Sequence, residues 1–88
     1  MVRRAFDDAR RRTERLFAAV SQVVALEHVC ERAIRLLDLH DLRAADALQL
    51  ASALIASGER PQSVPFTTLD QRLANAARAE GFPVDTLG

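Results

Sequence analysis

This chain of 88 residues contains no lysine: all 12 of its basic residues are arginines, and they balance 12 aspartates and glutamates to a formal charge of zero. We interpret the missing lysine chiefly as the coding bias of an arginine- and alanine-rich proteome, although arginine also suits phosphate contacts. The charge is unevenly spread, because residues 1–15 carry six arginines against three acids and the remainder is correspondingly acidic. This asymmetry predicts a basic helix beside an acidic site.

Cysteine, apolar spans and common catalytic motifs are equally scarce. The single Cys30 excludes an intramolecular disulfide, and its helical spacing from apolar neighbours predicts a small core residue. No run approaches the roughly 20 apolar residues of a membrane span, and residues 1–4 lack the apolar stretch of a signal peptide. The sequence has no glycine-rich phosphate loop and no Ser-His-acid arrangement of catalytic residues. Around His28 and His40 it also lacks the residue spacing of a zinc site. We therefore expect one cytoplasmic domain over residues 1–88, with no membrane partner.

The apolar pattern predicts an alternation of helices and short strands. A basic amphipathic helix is expected over about residues 3–20, with a short β-branched strand at 21–25. Helices should follow at 26–39 and 42–57, the second capped by Asp41 and ended by Gly58. A loop at 58–63, a strand at 64–69, a helix at 71–80 ended by Gly81, and a strand at 82–84 complete the order. This order predicts a three-layer α/β domain with a short parallel sheet flanked by helices.

Asp46 is a carboxylate inside the apolar run LRAADALQLA at residues 42–51. Removing a carboxylate from water without a partner costs several kcal/mol, so a helix that keeps one there either turns it to solvent or uses it. A solvent stripe is the alternative, because Arg43, Asp46, Gln49 and Ser52 recur every third residue. Both interpretations stay open on spacing alone.

Asp70 closes the predicted strand and opens the next helix. Open α/β sheets bind ligands beyond the carboxyl ends of their strands, which places this acid to meet a substrate or a metal. A helix N-cap is the structural alternative. Thr68 is either an ordinary strand residue or a hydroxyl that holds the Asp70 carboxylate in a ligand rotamer. Together Asp46 and Asp70 predict half of an acidic metal site.

Three segments share an order along the chain: the apolar run at 42–51, FTTLDQRLA at 66–74 and GFPV at 81–84. In this order they resemble the carboxy-terminal half of PIN-domain proteins of the VapC toxin type. The resemblance covers about residues 24–84. It implies a parallel sheet flanked by helices and a Mg²⁺- or Mn²⁺-dependent endoribonuclease that acts on RNA and is neutralised by an antitoxin protein. By this resemblance Asp46 and Asp70 are catalytic metal ligands, and Thr68 matches the hydroxyl that accompanies Asp70.

The chain departs from that family at its amino-terminal side. Family members begin with a strand carrying an aspartate and later place a glutamate on a helix, and neither segment is visible here. We therefore expect a truncated domain with impaired activity, able to form a homodimer. Two further functions stay open: a non-catalytic interaction module that binds an antitoxin-like partner or itself, and a helical nucleic-acid-binding protein that uses the arginines of residues 3–15.

Overall fold

One long helix dominates the computed structural model, which describes residues 2–85, with side chains from residue 3 onward. Helix α1 runs over Val2–Leu39 and α2 over Ala44–Ala56, followed by a 3₁₀ turn at Pro61–Ser63. Strand β1, Phe66–Thr67, then leads into α3, Gln71–Ala79, and β2, Val84–Asp85. Of the predicted domain 1–88, residues 1 and 86–88 lie outside the described part.

The predicted three-layer α/β architecture is wrong. The described residues form three α-helices and one parallel pair of two-residue strands, with Phe66 opposite Val84 and Thr67 opposite Asp85. Two strands of this length cannot form the central layer between two layers of helices. The predicted strand at 64–69 is present only at its centre, and the last strand lies at Val84–Asp85 instead of 82–84.

The predicted strand at 21–25 is also wrong, because α1 passes through it without interruption. The sequence between residues 2 and 39 contains neither glycine nor proline, so no residue stops the helix there. The two β-branched residues of 21–25, Val23 and Val24, lower helix propensity only slightly. The two helices predicted at 3–20 and 26–39 are therefore one.

The core is assembled where the last part of α1 packs against α2 and the β1–α3–β2 segment. Its buried side chains are Ala33 and Leu36 from α1, Ala47, Leu50, Ala51 and Leu54 from α2, Phe66 from β1, four residues of α3, and Phe82 between α3 and β2. The rings of Phe66 and Phe82 lie 5.3 Å apart between centroids. Cys30 is exposed, so its predicted place in the core is wrong.

Both shorter helices end as the glycine positions predict. At Gly81, with φ +105°, the N–H groups of Gly81 and Phe82 donate to the carbonyls of Arg78 and Ala77. Gly58, with φ +64°, ends α2 in the same way. In each case the left-handed residue reverses the chain and satisfies the last carbonyls of the helix. These turns return β1 and β2 to the core.

Candidate functional site

Asp46 and Asp70 are brought to the same surface depression by two different helices. Asp46 lies in the first turn of α2, and Asp70, three residues after the end of β1, is the N-cap of α3. The depression has a volume of about 290 Å³ and is lined by Arg43, Asp46, Asp70, Gln71 and Arg72. Asp46 is half-buried and Asp70 is exposed. The sequence-predicted pair therefore faces one shared space.

Asp70 caps α3. Its Oδ1 atom accepts hydrogen bonds from the backbone N–H groups of Arg72 at 2.8 Å and Leu73 at 3.1 Å. These bonds satisfy two of the donors that a helix leaves free in its first turn, which confirms the capping role. Both bonds use one oxygen, so Oδ2 remains available to a ligand. The capping role and a ligand role are compatible.

Thr68 supports the backbone of Asp70 instead of its carboxylate. The Thr68 hydroxyl oxygen accepts a hydrogen bond from the Asp70 N–H at 3.1 Å. This contact fixes the turn between β1 and α3 and thereby the direction in which the Asp70 side chain leaves the backbone. The hydroxyl acts on the carboxylate indirectly, through the main chain.

Asp41, predicted to cap α2, does not do so. The residue at the N-cap of α2 is Arg43, which makes no side-chain capping bond. The Asp41 carboxylate lies 3.5 Å from Nε of Arg72, and both side chains are exposed. Asp41 therefore contacts α3 at the edge of the depression.

Two arginines line the depression, Arg43 and Arg72, and the sequence pattern predicted a site role for neither. They match the two carboxylates of the depression in number, and the Arg72 guanidinium also contacts the Asp41 carboxylate at 3.5 Å. The amino termini of α2 and α3 add positive partial charge on the same side. Arg72 could have been anticipated, since it lies in the first turn of the helix predicted at 71–80, whereas Arg43 belongs to the stripe for which exposure to solvent was one of two open interpretations. The depression therefore offers groups that attract a phosphate as well as groups that attract a cation.

The chemistry of this donor set allows only loose cation binding. Carboxylate oxygens are the ligands that Mg²⁺ and Mn²⁺ prefer, and Mg²⁺ retains several waters when few protein ligands are present. Across residues 2–85, no cluster of three or more histidine, cysteine or acidic side chains is arranged to hold a metal. Two carboxylates supply at most two positions of a coordination shell, and water must fill the remaining ones.

Asp7, Asp8 and Glu14 lie along the exposed part of α1, far along the chain from the depression. Glu14 pairs with Arg10 at 3.2 Å on the same helix face. His40 lies 2.8 Å from Glu80 through Nε2 and Oε2, joining the end of α1 to the end of α3. Glu14, His40 and Glu80 thus make structural contacts, and none of these groups lines the depression.

The described residues contain no helix both long enough and apolar enough to cross a membrane. Comparison with protein-family models, curated proteins and solved structures finds no match to this chain.

Proposed function

We propose that this chain is a cytoplasmic, VapC-like ribonuclease unit in which Asp46 and Asp70 hold Mg²⁺ or Mn²⁺ against an RNA substrate. The observation that supports the proposal most is that two acids 24 positions apart in the sequence line one depression together with two arginines. Activity of the unit alone is expected to be weak, because two acids form only half of the ligand set that the resemblance implies. An antitoxin protein is the proposed partner.

The residues of the depression divide the proposed work between them. Asp46 and Oδ2 of Asp70 would hold the cation, which when bound supplies a more nucleophilic water for attack on a phosphodiester. Arg43 and Arg72 would orient the phosphate, because a guanidinium donates two parallel hydrogen bonds to it. Thr68 keeps the β1–α3 turn, and therefore Asp70, in place.

Titration with Mn²⁺ by calorimetry tests the metal site. We expect binding no tighter than about millimolar, since most of the coordination shell is left to water. Asp46→Asn and Asp70→Asn should each abolish this binding, and the second variant keeps the helix cap because asparagine is an equally good N-cap residue. Asp38→Asn, which removes an exposed carboxylate from α1, is the matched control and should bind as the unchanged chain does. Binding that survives both site substitutions would refute the assignment.

Cleavage of a structured RNA with Mg²⁺ or Mn²⁺ tests the activity. The chain alone should cleave very slowly, and fusion of a strand bearing an aspartate and a helix bearing a glutamate to its amino terminus should increase the rate. That increase must disappear with Asp46→Asn, but not with Asp38→Asn. A fused protein that binds Mn²⁺ through Asp46 and still leaves RNA intact would contradict the ribonuclease proposal while preserving the metal site.

A second candidate function, a non-catalytic interaction module, is favoured by a different region. Along α1, large apolar side chains stand in solvent, among them Phe6 at 74% exposure and Phe17 at 68%. Exposed apolar stretches of this size are typical of interaction surfaces. Light scattering should give a mass above that of one chain if α1 binds itself, or on addition of an antitoxin-like helical peptide if it binds such a partner. Leu16→Glu, at an apolar side chain that is 65% exposed, should return either mass to that of one chain.

A further inference from the structure

The exposed side of α1 follows a seven-residue repeat. Apolar residues alternate at spacings of three and four, the pattern by which two helices wind around each other. The positions of this seam are Phe6, Ala9, Thr13, Leu16, Val20, Val23, Glu27, Cys30, Ile34 and Leu37. All but Thr13 and Glu27 are apolar, and the repeat continues from the free part of α1 into the part that packs on α2.

The seam and the core contacts of α1 lie on different sides of the helix. Ala33 and Leu36 are buried against the rest of the chain, whereas Ile34 is 61% exposed and Val20 is 50% exposed. A partner that covers the seam therefore does not compete with α2 for α1.

The polar residues of the repeat distinguish between two ways of pairing α1 with a second copy. A parallel pair places Glu27 against Glu27 of the partner subunit inside the seam, and a pair of like charges there is unfavourable. It also places the arginine-rich ends of both helices side by side. An antiparallel pair avoids both conflicts, because Glu27 then faces Leu16 of the partner subunit and each basic end lies along an acidic end.

The charges beside the seam match the antiparallel register. When Val20 faces Val23 of the partner subunit, the flanking positions place Arg10, which also contacts Glu14 of its own helix, beside Glu31 of the partner subunit. The same register pairs Arg3 with Asp38 of the partner subunit. All four side chains are exposed, and the two-fold symmetry repeats each pair once. The flanking positions of a coiled coil commonly set the orientation of the partner through such ion pairs.

We infer that α1 forms an antiparallel coiled coil with α1 of a second copy of this chain, in the register that places Val20 against Val23 of the partner subunit. This inference rests on the interaction role given above as the second candidate function. The two compact units then lie at opposite ends of the paired helices. Each keeps its own Asp46 and Asp70, and the dimer does not combine the two depressions into one metal site.

Disulfide cross-linking tests the register directly, because the register places Thr13 against Cys30 of the partner subunit. Thr13→Cys should therefore give a covalent dimer under mild oxidation, with a peptide linking position 13 to Cys30 found by mass spectrometry. The two positions are about 25 Å apart along one helix, so the bond cannot form within a chain. The unchanged chain, with Cys30 alone, should remain free of covalent dimer, since the two Cys30 residues are separated by a similar distance.

Two controls make the cross-linking result decisive. Cys30→Ser in the Thr13→Cys background should abolish the covalent dimer in the antiparallel register, whereas a parallel pair would still link position 13 to itself. Light scattering on the unoxidised protein should give the mass of two chains, which Val20→Glu reduces to one. Gln22→Glu, with the same carboxylate on the opposite side of α1, should leave the dimer intact.

The possible failures are distinct. A dimer that Val20→Glu dissociates but that links position 13 to itself, or gives no link to Cys30, overturns the antiparallel register and leaves the interaction role standing. If light scattering gives the mass of one chain, the claim that a second copy is the partner of α1 is wrong. If the chain is a monomer and also fails to bind the antitoxin-like peptide, the interaction role is wrong as well.

Discussion

Residues 3–28 and residues 29–85 use their apolar side chains in opposite ways. In the first region Leu16 is 65% exposed, and across residues 3–28 no side chain is buried. In the second region Leu50 is completely buried, and helices, turns and strands are arranged around one core. The chain therefore combines a small packed unit with a projecting helix, and its extents of 62 × 24 × 19 Å reflect that combination. Helix formation alone does not create a core; a second layer to pack against does.

The strongest test of this comparison is to remove the same side-chain atoms from each region. Leu50→Ala should lower the free energy of unfolding by about 2–5 kcal/mol, because it leaves a cavity at the centre of α2. Leu16→Ala should change it by less than about 0.5 kcal/mol, since the side chain is already in water. Urea titration followed by circular dichroism, at a concentration where the chain is monomeric, measures both. Equal losses would mean that residues 3–28 are part of the packed unit.

A smaller effect is expected at the two left-handed glycines that shape the packed unit. Gly81→Ala should cost about 2 kcal/mol, because alanine resists a positive φ and its Cβ would approach Cγ of Pro61 to 3.2 Å. Gly58→Ala should cost about 1 kcal/mol, since its Cβ would meet open space and only the backbone preference is lost. Urea titration of the two variants in parallel gives the difference. Identical values would show that the contact with Pro61 contributes nothing.

The smallest effect concerns the ion pair at the boundary between the regions. The Nη1 and Nη2 atoms of Arg32 donate to Oε1 and Oε2 of Glu59, each at 3.0 Å. Glu59→Gln should lower the free energy of unfolding by about 0.5–1 kcal/mol, because Glu59 is half exposed and solvent screens the pair. The loss should shrink in 1 M salt. Glu14→Gln, which removes a more exposed pair in the projecting region, is the matched control and should leave the unfolding midpoint unchanged.

Local chemistry explains which parts of the fold were predictable. Glycine after an apolar helical run predicted the ends of α2 and α3 at Gly58 and Gly81, because only glycine adopts the required φ at little cost. An acid between a strand and a helix predicted the N-cap at Asp70. The shared depression of Asp46 and Asp70 also agrees with the prediction that both carboxylates face one cleft. Whether they bind a metal stays a prediction.

Non-local packing explains the parts that were not predictable. The β-branched residues of 21–25 favour a strand only when neighbouring strands are present, and the described residues place none beside them, so the helix continues. Cys30 has the helical spacing of a core residue, but the repeat does not say which side of α1 the core will occupy. The position of Arg43 in the depression depends on where α3 packs, which is equally invisible in the local pattern.

The order of the elements along the chain has a consequence during synthesis. The ribosome completes α1 before any residue of α2, α3 or the two strands has been made, so even Leu36 has nothing to pack against when it first emerges. At about 5–20 residues per second, several seconds pass before Val84 and Asp85 are available to pair with β1. Each part of α1 that leaves the ribosome before the core has formed exposes both of its apolar sides to water, to chaperones and to other nascent chains on the same messenger.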